Sequence, residues 1–402
     1  MRRNLLALLM SMVVLSPLAI DIYLPAMPTM AVDYAVSNSE IQSTLVLFLF
    51  AMGVGQILIG PLADRFGRRP IALFGIVLYG ASSLLAAASV DFYWLQIARV
   101  LQGLAACSTS IVVFSAVRDC YSAKESMTMY SYLNGAICVI PALAPTFGGL
   151  LALEFGWRST FMFMALYAVF VLLFVGYRFP ETRPLNTDSK GPIYRWARYK
   201  PVVANVHFMF YALVCMAAMA SILAYVSYSP VWLIGGLGMS ELMFSGLFGL
   251  NAFVNVTACF AAPLLVSKLG NRNSVILALS LMLSAAVIEA GLQLMFTLDG
   301  LLGGLAFMLP MMLLCIGFAL LLGPATTMAL AGFGERAGTA TAMLGFIQMS
   351  GAALLTGLIQ LTSIPAPYAV ALIMGGLSTI LLLMMATKGL GHWHQERLQL
   401  EH

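Results

Sequence analysis

Long apolar runs alternate with short polar breaks along the whole chain. The runs fall at Leu5–Met27, Ile41–Ala63, Ile71–Ala88, Phe92–Val117, Met127–Leu151 and Thr160–Tyr177, and then at Val203–Val231, Leu242–Val266, Val275–Met295, Leu301–Leu322, Thr339–Leu361 and Tyr368–Met385. Each is close to the ~20 apolar residues that carry a helix across the hydrocarbon of a bilayer. A helix also satisfies its own backbone polar groups there. The pattern predicts an all-α integral membrane protein with twelve transmembrane helices, numbered here as spans 1 to 12.

Arg178–Lys200 is the only long hydrophilic segment between runs, and it divides them six and six. The expected organisation is an N-terminal six-helix bundle over 1–177, a cytoplasmic linker over 178–202 and a C-terminal bundle over 203–402 ending in a short tail. An internal repeat supports the division. Ser267-Lys268-Leu269-Gly270-Asn271-Arg272 echoes Asp64-Arg65-Phe66-Gly67-Arg68-Arg69 about half a chain later, with Ser267 standing where the acid was. Two pseudo-symmetric six-helix repeats with a binding site near the midplane are a common carrier plan.

Composition narrows the classes. Hydrophobic residues make up 61% of the 402 positions and charged residues 9%, against about 25% charge in soluble domains. The net charge of +4 is spread beside the apolar runs and forms no basic groove, so no nucleic-acid partner is expected. None of the six Cys forms a C-x-x-C and five lie in apolar runs, as small packing residues do. The four His have no zinc spacing. There is no Walker loop for a nucleotide and no catalytic G-x-S-x-G, so neither an enzyme nor a cofactor is expected. Met1-Arg2-Arg3 before an apolar run imitates a leader, but the run continues to Met27 with no A-x-A site, so no cleavage is expected. The terminal Leu400-Glu401-His402 reads as a tag stub.

Basic residues set the orientation. With both termini in the cytoplasm, every Lys and Arg except Arg99 and Arg158 falls in or beside a cytoplasmic segment. Asp33, Glu40, Asp91, Glu154, Glu241 and Asp299 then face outward.

Three charges lie within spans, where they are costly and usually functional: Asp21, Arg99 and Glu289. Asp21 lies about 18 residues into span 1, or about 27 Å at the helical rise. Arg99 lies about 19 residues from the cytoplasmic end of span 4, at nearly the same depth. Opposite charges at one depth read either as a proton-coupling pair, with the Asp titrating because Arg stays protonated, or as an ion pair fastening span 1 to span 4. Glu289, near the outer end of span 9, is expected to be structural or interfacial, its carboxylate snorkelling to the interface.

The turn Gly60-Pro61-Leu62-Ala63-Asp64-Arg65-Phe66-Gly67-Arg68-Arg69-Pro70 resembles the loop between helices 2 and 3 of the major facilitator superfamily. Asp21-Ile22-Tyr23-Leu24-Pro25 and Arg99-Val100-Leu101-Gln102-Gly103 resemble the helix 1 and helix 4 signatures of its drug:proton antiporters. Pro141-Ala142-Leu143-Ala144-Pro145-Thr146-Phe147-Gly148-Gly149 is similar to the antiporter motif, with Ala144 for its first Gly. Gly156-Trp157-Arg158 resembles the family's helix 6 start, and Ala337-Gly338-Thr339-Ala340 resembles the helix 11 start of the Bcr/CflA branch.

The resemblance implies a carrier exporting small lipophilic compounds against protons across a bacterial inner membrane, acting as a monomer among membrane lipids. It implies that Asp21 and Arg99 carry proton coupling. It also implies a cytoplasmic gate of Gly60, Asp64, Arg65, Gly67, Arg68, Arg69 and Asp119. There Gly60 and Gly67 permit a tight reversal, Asp64 faces the N-terminus of span 11, and Arg68 pairs with Asp119. Pro141, Pro145, Gly148 and Gly149 would seal the two halves against leak. Spans 1, 2, 4, 5, 7, 8, 10 and 11 would line the path. Tyr23, Gln56, Asn134, Tyr225, Tyr228, Asn251, Asn255 and Gln348 are the polar candidates there, and each reads equally as helix–helix hydrogen bonding. A specific metabolite (an amino acid, nucleoside or siderophore) is an alternative cargo, and a non-transporting receptor is an alternative class.

Overall fold

The computed structural model describes residues 2–184, 196–296, 299–333, 336–362, 364–387 and 391. Residues 185–195 of the charged central stretch, Lys388, His392, His394 and the terminal Leu400-Glu401-His402 lie outside the described residues. The protein is an all-helical, multi-pass membrane protein. Among the described residues, twelve helices are long and apolar enough to cross a membrane: Leu5–Asp33, Asn38–Phe66, Arg68–Ala88, Phe92–Cys120, Thr128–Phe155, Arg158–Arg178, Val206–Gly236, Glu241–Leu269, Asn271–Met295, Gly300–Leu330, Ala337–Gln360 and Ala366–Ala386.

Local chemistry starts these spans. Spans 2 and 5 open on capping boxes, Ser37 with Glu40 and Ser122 with Glu125, in which each side chain satisfies the other residue's free N–H. Gly67 ends span 2 at φ 106°, a backbone region that side chains with a Cβ rarely adopt.

Not every span is a regular α-helix. Span 1 is α-helical over Arg2–Val13 and Leu15–Asp21, breaks at Ile22 and Tyr23, makes a 3₁₀ turn over Leu24–Ala26, and resumes at Met27–Asp33. Pro25 and Pro28, which cannot donate to the preceding turn, follow the break. Spans 7 and 11 contain π-helical stretches, Val231–Gly236 and Ile347–Gly351, a distortion found most often at functional positions.

The described chain divides into two compact units: Met1–Tyr194 with Pro230–Ala252, and Arg195–Ser229 with Phe253–His402. In the first, span 3 packs on spans 4 and 6. In the second, span 9 packs on spans 10 and 12. These are equivalent pairings in the two repeats. A short helix, Trp196–Val203, precedes span 7.

Candidate functional site: a broken helix beside a buried arginine

Arg99 is completely buried in span 4. Its Nη1 donates to Gln102 Oε1, one turn along the same helix. Its Nε reaches the Thr44 carbonyl at 3.4 Å and its Nη2 the Tyr23 hydroxyl at 3.4 Å. The guanidinium carbon lies 4.6 Å from the ring centres of both Tyr23 and Phe48. A delocalised cation is thus accommodated by aromatic faces and neutral acceptors. Gln102 is itself fixed, donating to Ser83 Oγ of span 3 at 2.8 Å. At Gly103 a Cβ would lie 2.2 Å from the Phe48 carbonyl oxygen, so only glycine lets span 4 approach span 2 this closely. The three named residues of R-x-x-Q-G therefore have separate duties: charge, orientation and approach.

Asp21 is the last residue of the Leu15–Asp21 helix and is only 3% exposed. The ion pair with Arg99 suggested by their matched depth is not formed. Among the described residues nothing hydrogen-bonds or ion-pairs with the Asp21 carboxylate. The reason lies in the break. Tyr23, two residues on, delivers its hydroxyl and ring to Arg99, and Gln102 and Thr44 each take a donor from the other two nitrogens. Tyr23, one of the cavity candidates, is fully buried between Arg99, Thr44 and the Phe161 ring, whose centre is 5.5 Å away.

The antiporter-like motif meets this break directly. A Cβ on Gly148 would fall 1.7 Å from the Ile22 carbonyl oxygen, the residue after Asp21. A Cβ on neighbouring Gly149 would meet Ser245 Oγ at 3.4 Å and Pro25 at 3.7 Å. Ser245 also donates to the Pro145 carbonyl at 3.2 Å. Pro141 and Pro145 both lie inside the helix Ala123–Phe155.

At the opposite end of the unit, Arg68 is buried and bridges two acids, Asp64 at 2.7 Å and Asp119 at 3.1 Å. Arg69 Nη2 donates to the Gly176 carbonyl at 2.9 Å. Arg183 donates to the carbonyls of Asp64 and Arg65, in the last turn of span 2, where carbonyls lack a partner within the helix itself. Gly60 does not make the tight reversal expected of it. It lies inside span 2, and a Cβ there would meet no described atom within 4 Å. The chain turns at Gly67 alone.

Pro180-Glu181-Thr182-Arg183-Pro184 reads in sequence only as linker, yet Glu181 is central to this loop. Its carboxylate accepts the backbone N–H groups of Arg68 at 2.8 Å and Arg69 at 3.2 Å, which open span 3, and those of Thr182 and Arg183. Burial pushes the Glu181 carboxyl up, but the four backbone donors outweigh it and hold it below the ordinary range. One signal was available: a single acid, between prolines, next to a cationic loop that begins with undonated N–H groups.

A double feature of this unit, an unpaired membrane acid at a helix break and an Asp–Arg–Asp bridge on a glycine turn, agrees with what comparison with known proteins finds. The Major Facilitator Superfamily profile matches residues 9–356. The chain belongs to the Major Facilitator Superfamily. It is 30% identical over 383 residues to the multidrug resistance protein MdtL of Shewanella sp. (strain ANA-3), covering 94% of both chains. It is 33% identical over 332 residues to a chloramphenicol resistance protein of Pseudomonas aeruginosa, covering 82% of this chain and 77% of that one. Among solved structures, a D-xylose-proton symporter shares the fold with a TM-score of 0.74 at 18% identity, over 95% of this chain and 96% of that one. The human organic anion transporter MFSD10 (TETRAN) does so with a TM-score of 0.66 at 19% identity, over 95% and 98%.

Within this superfamily fold, the other cavity candidates are dispersed. Asn134 is exposed, while Tyr225, Tyr228 and Asn251 are buried. Asn255 is engaged within the second unit, donating to the Cys315 carbonyl of span 10 at 3.3 Å and accepting from Cys259. Gln56 is half-buried. Gln348 is half-buried on the π-helical stretch of span 11. Glu289 does not snorkel. It is fully buried, because span 9 turns that face toward its neighbours in the bundle. Trp157 and Arg158, which carried only family resemblance, tie the far end of span 1 to span 6. Trp157 Nε1 donates to Asp33 Oδ2 at 2.7 Å, and Arg158 lies 3.5 Å from the same oxygen.

Proposed function

We propose that the chain is a proton-driven antiporter that exports small lipophilic compounds, antibiotics among them, across a bacterial inner membrane by alternating access. The names of its relatives, a multidrug resistance protein and a chloramphenicol resistance protein, support the drug class. The observation that carries the mechanism is Asp21, a buried acid without a partner at the break of span 1. A membrane-buried carboxylate that no cation neutralises is most cheaply held as the neutral acid. In this scheme Asp21 takes a proton from the outer side when the site opens there and cargo leaves, and yields it to the cytoplasm when the site opens inward and cargo enters. Arg99 is the fixed cation nearby, present in both states and never exchanged. Gly148, seated on the Ile22 carbonyl, passes any shift at the break to span 5. The Arg68 bridge and the Glu181 tie brace the loop that gates the cytoplasmic side in this scheme.

The six-and-six division, cytoplasmic termini and monomeric state belong to the same proposal. Single cysteines at Glu40 and Lys268 should label from opposite sides, and labelling from one side would remove the topology. Asp21→Asn should abolish gradient-driven efflux of chloramphenicol-like and other lipophilic drugs in cells lacking their own pumps, while the protein stays folded and membrane-inserted. Full efflux by that variant would refute the coupling role. Exchange of an amino acid or nucleoside but of no drug would replace the cargo class.

A further inference from the structure

Glu289 lies in the second unit, remote in sequence from every residue used above. It is less than two turns from the C-terminal end of span 9, about 9 Å at the helical rise. The residue is completely buried. Among the described residues its Oε2 has no hydrogen-bond partner, and its Oε1 receives one long contact, 3.4 Å, from Gln293 Nε2 on the same helix. Span 9 is closely packed on spans 10 and 12 along its length. A Cβ on Gly375 of span 12 would fall 2.9 Å from Ala286 Cβ, and the Tyr368 hydroxyl of span 12 donates to the Gln293 carbonyl at 3.2 Å. On the span 10 side, a Cβ on Gly317 would fall 2.9 Å from the Ala278 carbonyl.

Among the described residues no counter-charge lies in this seam. Spans 10 and 12, the two helices that pack on span 9, contain no Asp, Glu, Lys, Arg or His. Their titratable groups are Cys315 and Tyr368, neither a cation. On span 9 itself the other charged residue is Arg272, at the opposite end. Asp299, an exposed acid opening span 10, adds charge of the same sign. An ionised carboxylate here would face the full desolvation cost with nothing to offset it.

We propose that Glu289 is a second proton-binding site, separate from Asp21, that holds its proton in the packed seam of spans 9, 10 and 12 and releases it only when that seam opens. Its ligand is a proton, bound as a neutral carboxylic acid. The site sets an alkaline limit on the C-terminal unit, because raising the pH draws the proton away only at the expense of the seam.

The test compares purified full-length protein with Glu289→Gln in lipid nanodiscs. Infrared difference spectra at neutral pH should show the carbonyl band of a protonated carboxylic acid in the wild type and its loss in E289Q. Spectra without that difference would overturn the proposal. Thermal unfolding supplies a second reading. A group neutral when folded and ionised when unfolded weakens folding as pH rises, the folding constant falling by about tenfold per pH unit. The Tm of E289Q should thus gain steadily on the wild type between about pH 5 and pH 7, a range above the ordinary Glu value. A constant Tm difference over that range would equally overturn it. Glu289→Met serves the same comparison if the amide is not tolerated.

Discussion

Replacing Gly148 by Ala adds one methyl group at the point where span 5 touches the break in span 1. That methyl would sit 1.7 Å from the Ile22 carbonyl oxygen, 2.7 Å from the carbonyl carbon and 3.0 Å from Ile22 Cγ1. Even close carbon–oxygen contacts stand at about 3.3–3.6 Å, so one backbone must retreat by roughly 1.6 Å or more. Two of the three obstructing atoms are backbone, so no rotamer change relieves the clash. Overpacking of this kind costs about 1–3 kcal/mol, partly offset by the ~1 kcal/mol by which Ala is the better helix former. The net loss of stability is small enough for the protein to fold. The displacement, however, falls on the residue next to Asp21. Ångström-scale misplacement of a working group costs roughly 100-fold in rate, and a loss on the order of 10- to 100-fold in drug-driven proton exchange is expected. The assay is substrate-induced proton release from detergent-purified protein, read beside drug binding and Tm. Gly149→Ala, whose methyl would meet Ser245 Oγ at 3.4 Å, and Gly135→Ala, with no described atom within 4 Å, should both stay near wild type. Gly148→Ala exchanging protons as the wild type does, at unchanged Tm, would refute the coupling of span 5 to the break.

Arg99→Lys keeps the charge but loses the planar fork that meets Gln102, Thr44 and Tyr23 together. Transport should fall sharply in it and further in Arg99→Ala, and normal proton release in the Ala variant would remove Arg99 from the mechanism. Glu181→Gln leaves the N–H groups of Arg68 and Arg69 at the Gly67 turn, and those of Thr182 and Arg183, with a weaker acceptor, so protease nicking in the central stretch should accelerate. Because the Glu181 carboxyl is held below its ordinary value, its stabilisation is fully present above about pH 4.3 and is lost as pH falls through the lower folded value. Nicking of the wild type should therefore rise in that acid window while nicking of Glu181→Gln stays flat, and parallel profiles would exclude the tie.

The twelve spans were legible because a bilayer imposes a single length on apolar runs, and the turn at Gly67 was legible because only glycine suits its backbone. The interior of span 1 was less so. Depth along a helix can be counted from sequence, but the direction of a side chain past a break cannot, and Asp21 and Arg99 share a depth without touching. Glu181 was missed because its partners are backbone groups that no residue type advertises. Glu289 was misplaced for the reverse reason. Distance from a helix end suggested escape to the interface, while its fate depended on which face span 9 gave to spans 10 and 12.

The tie from Glu181 and Arg183 has a consequence for the order in which the molecule is made. The turn between spans 2 and 3 is completed by residues that follow span 6, so it stays unfinished on the ribosome until the chain has been synthesised beyond Arg183. Among the described residues the second repeat shows no such tie, and Gly270 opens span 9 without a side-chain cap. A ribosome stalled just short of the linker would therefore release a first half with all six helices and a slack turn, whereas a stall just beyond Pro184 would release one already fastened.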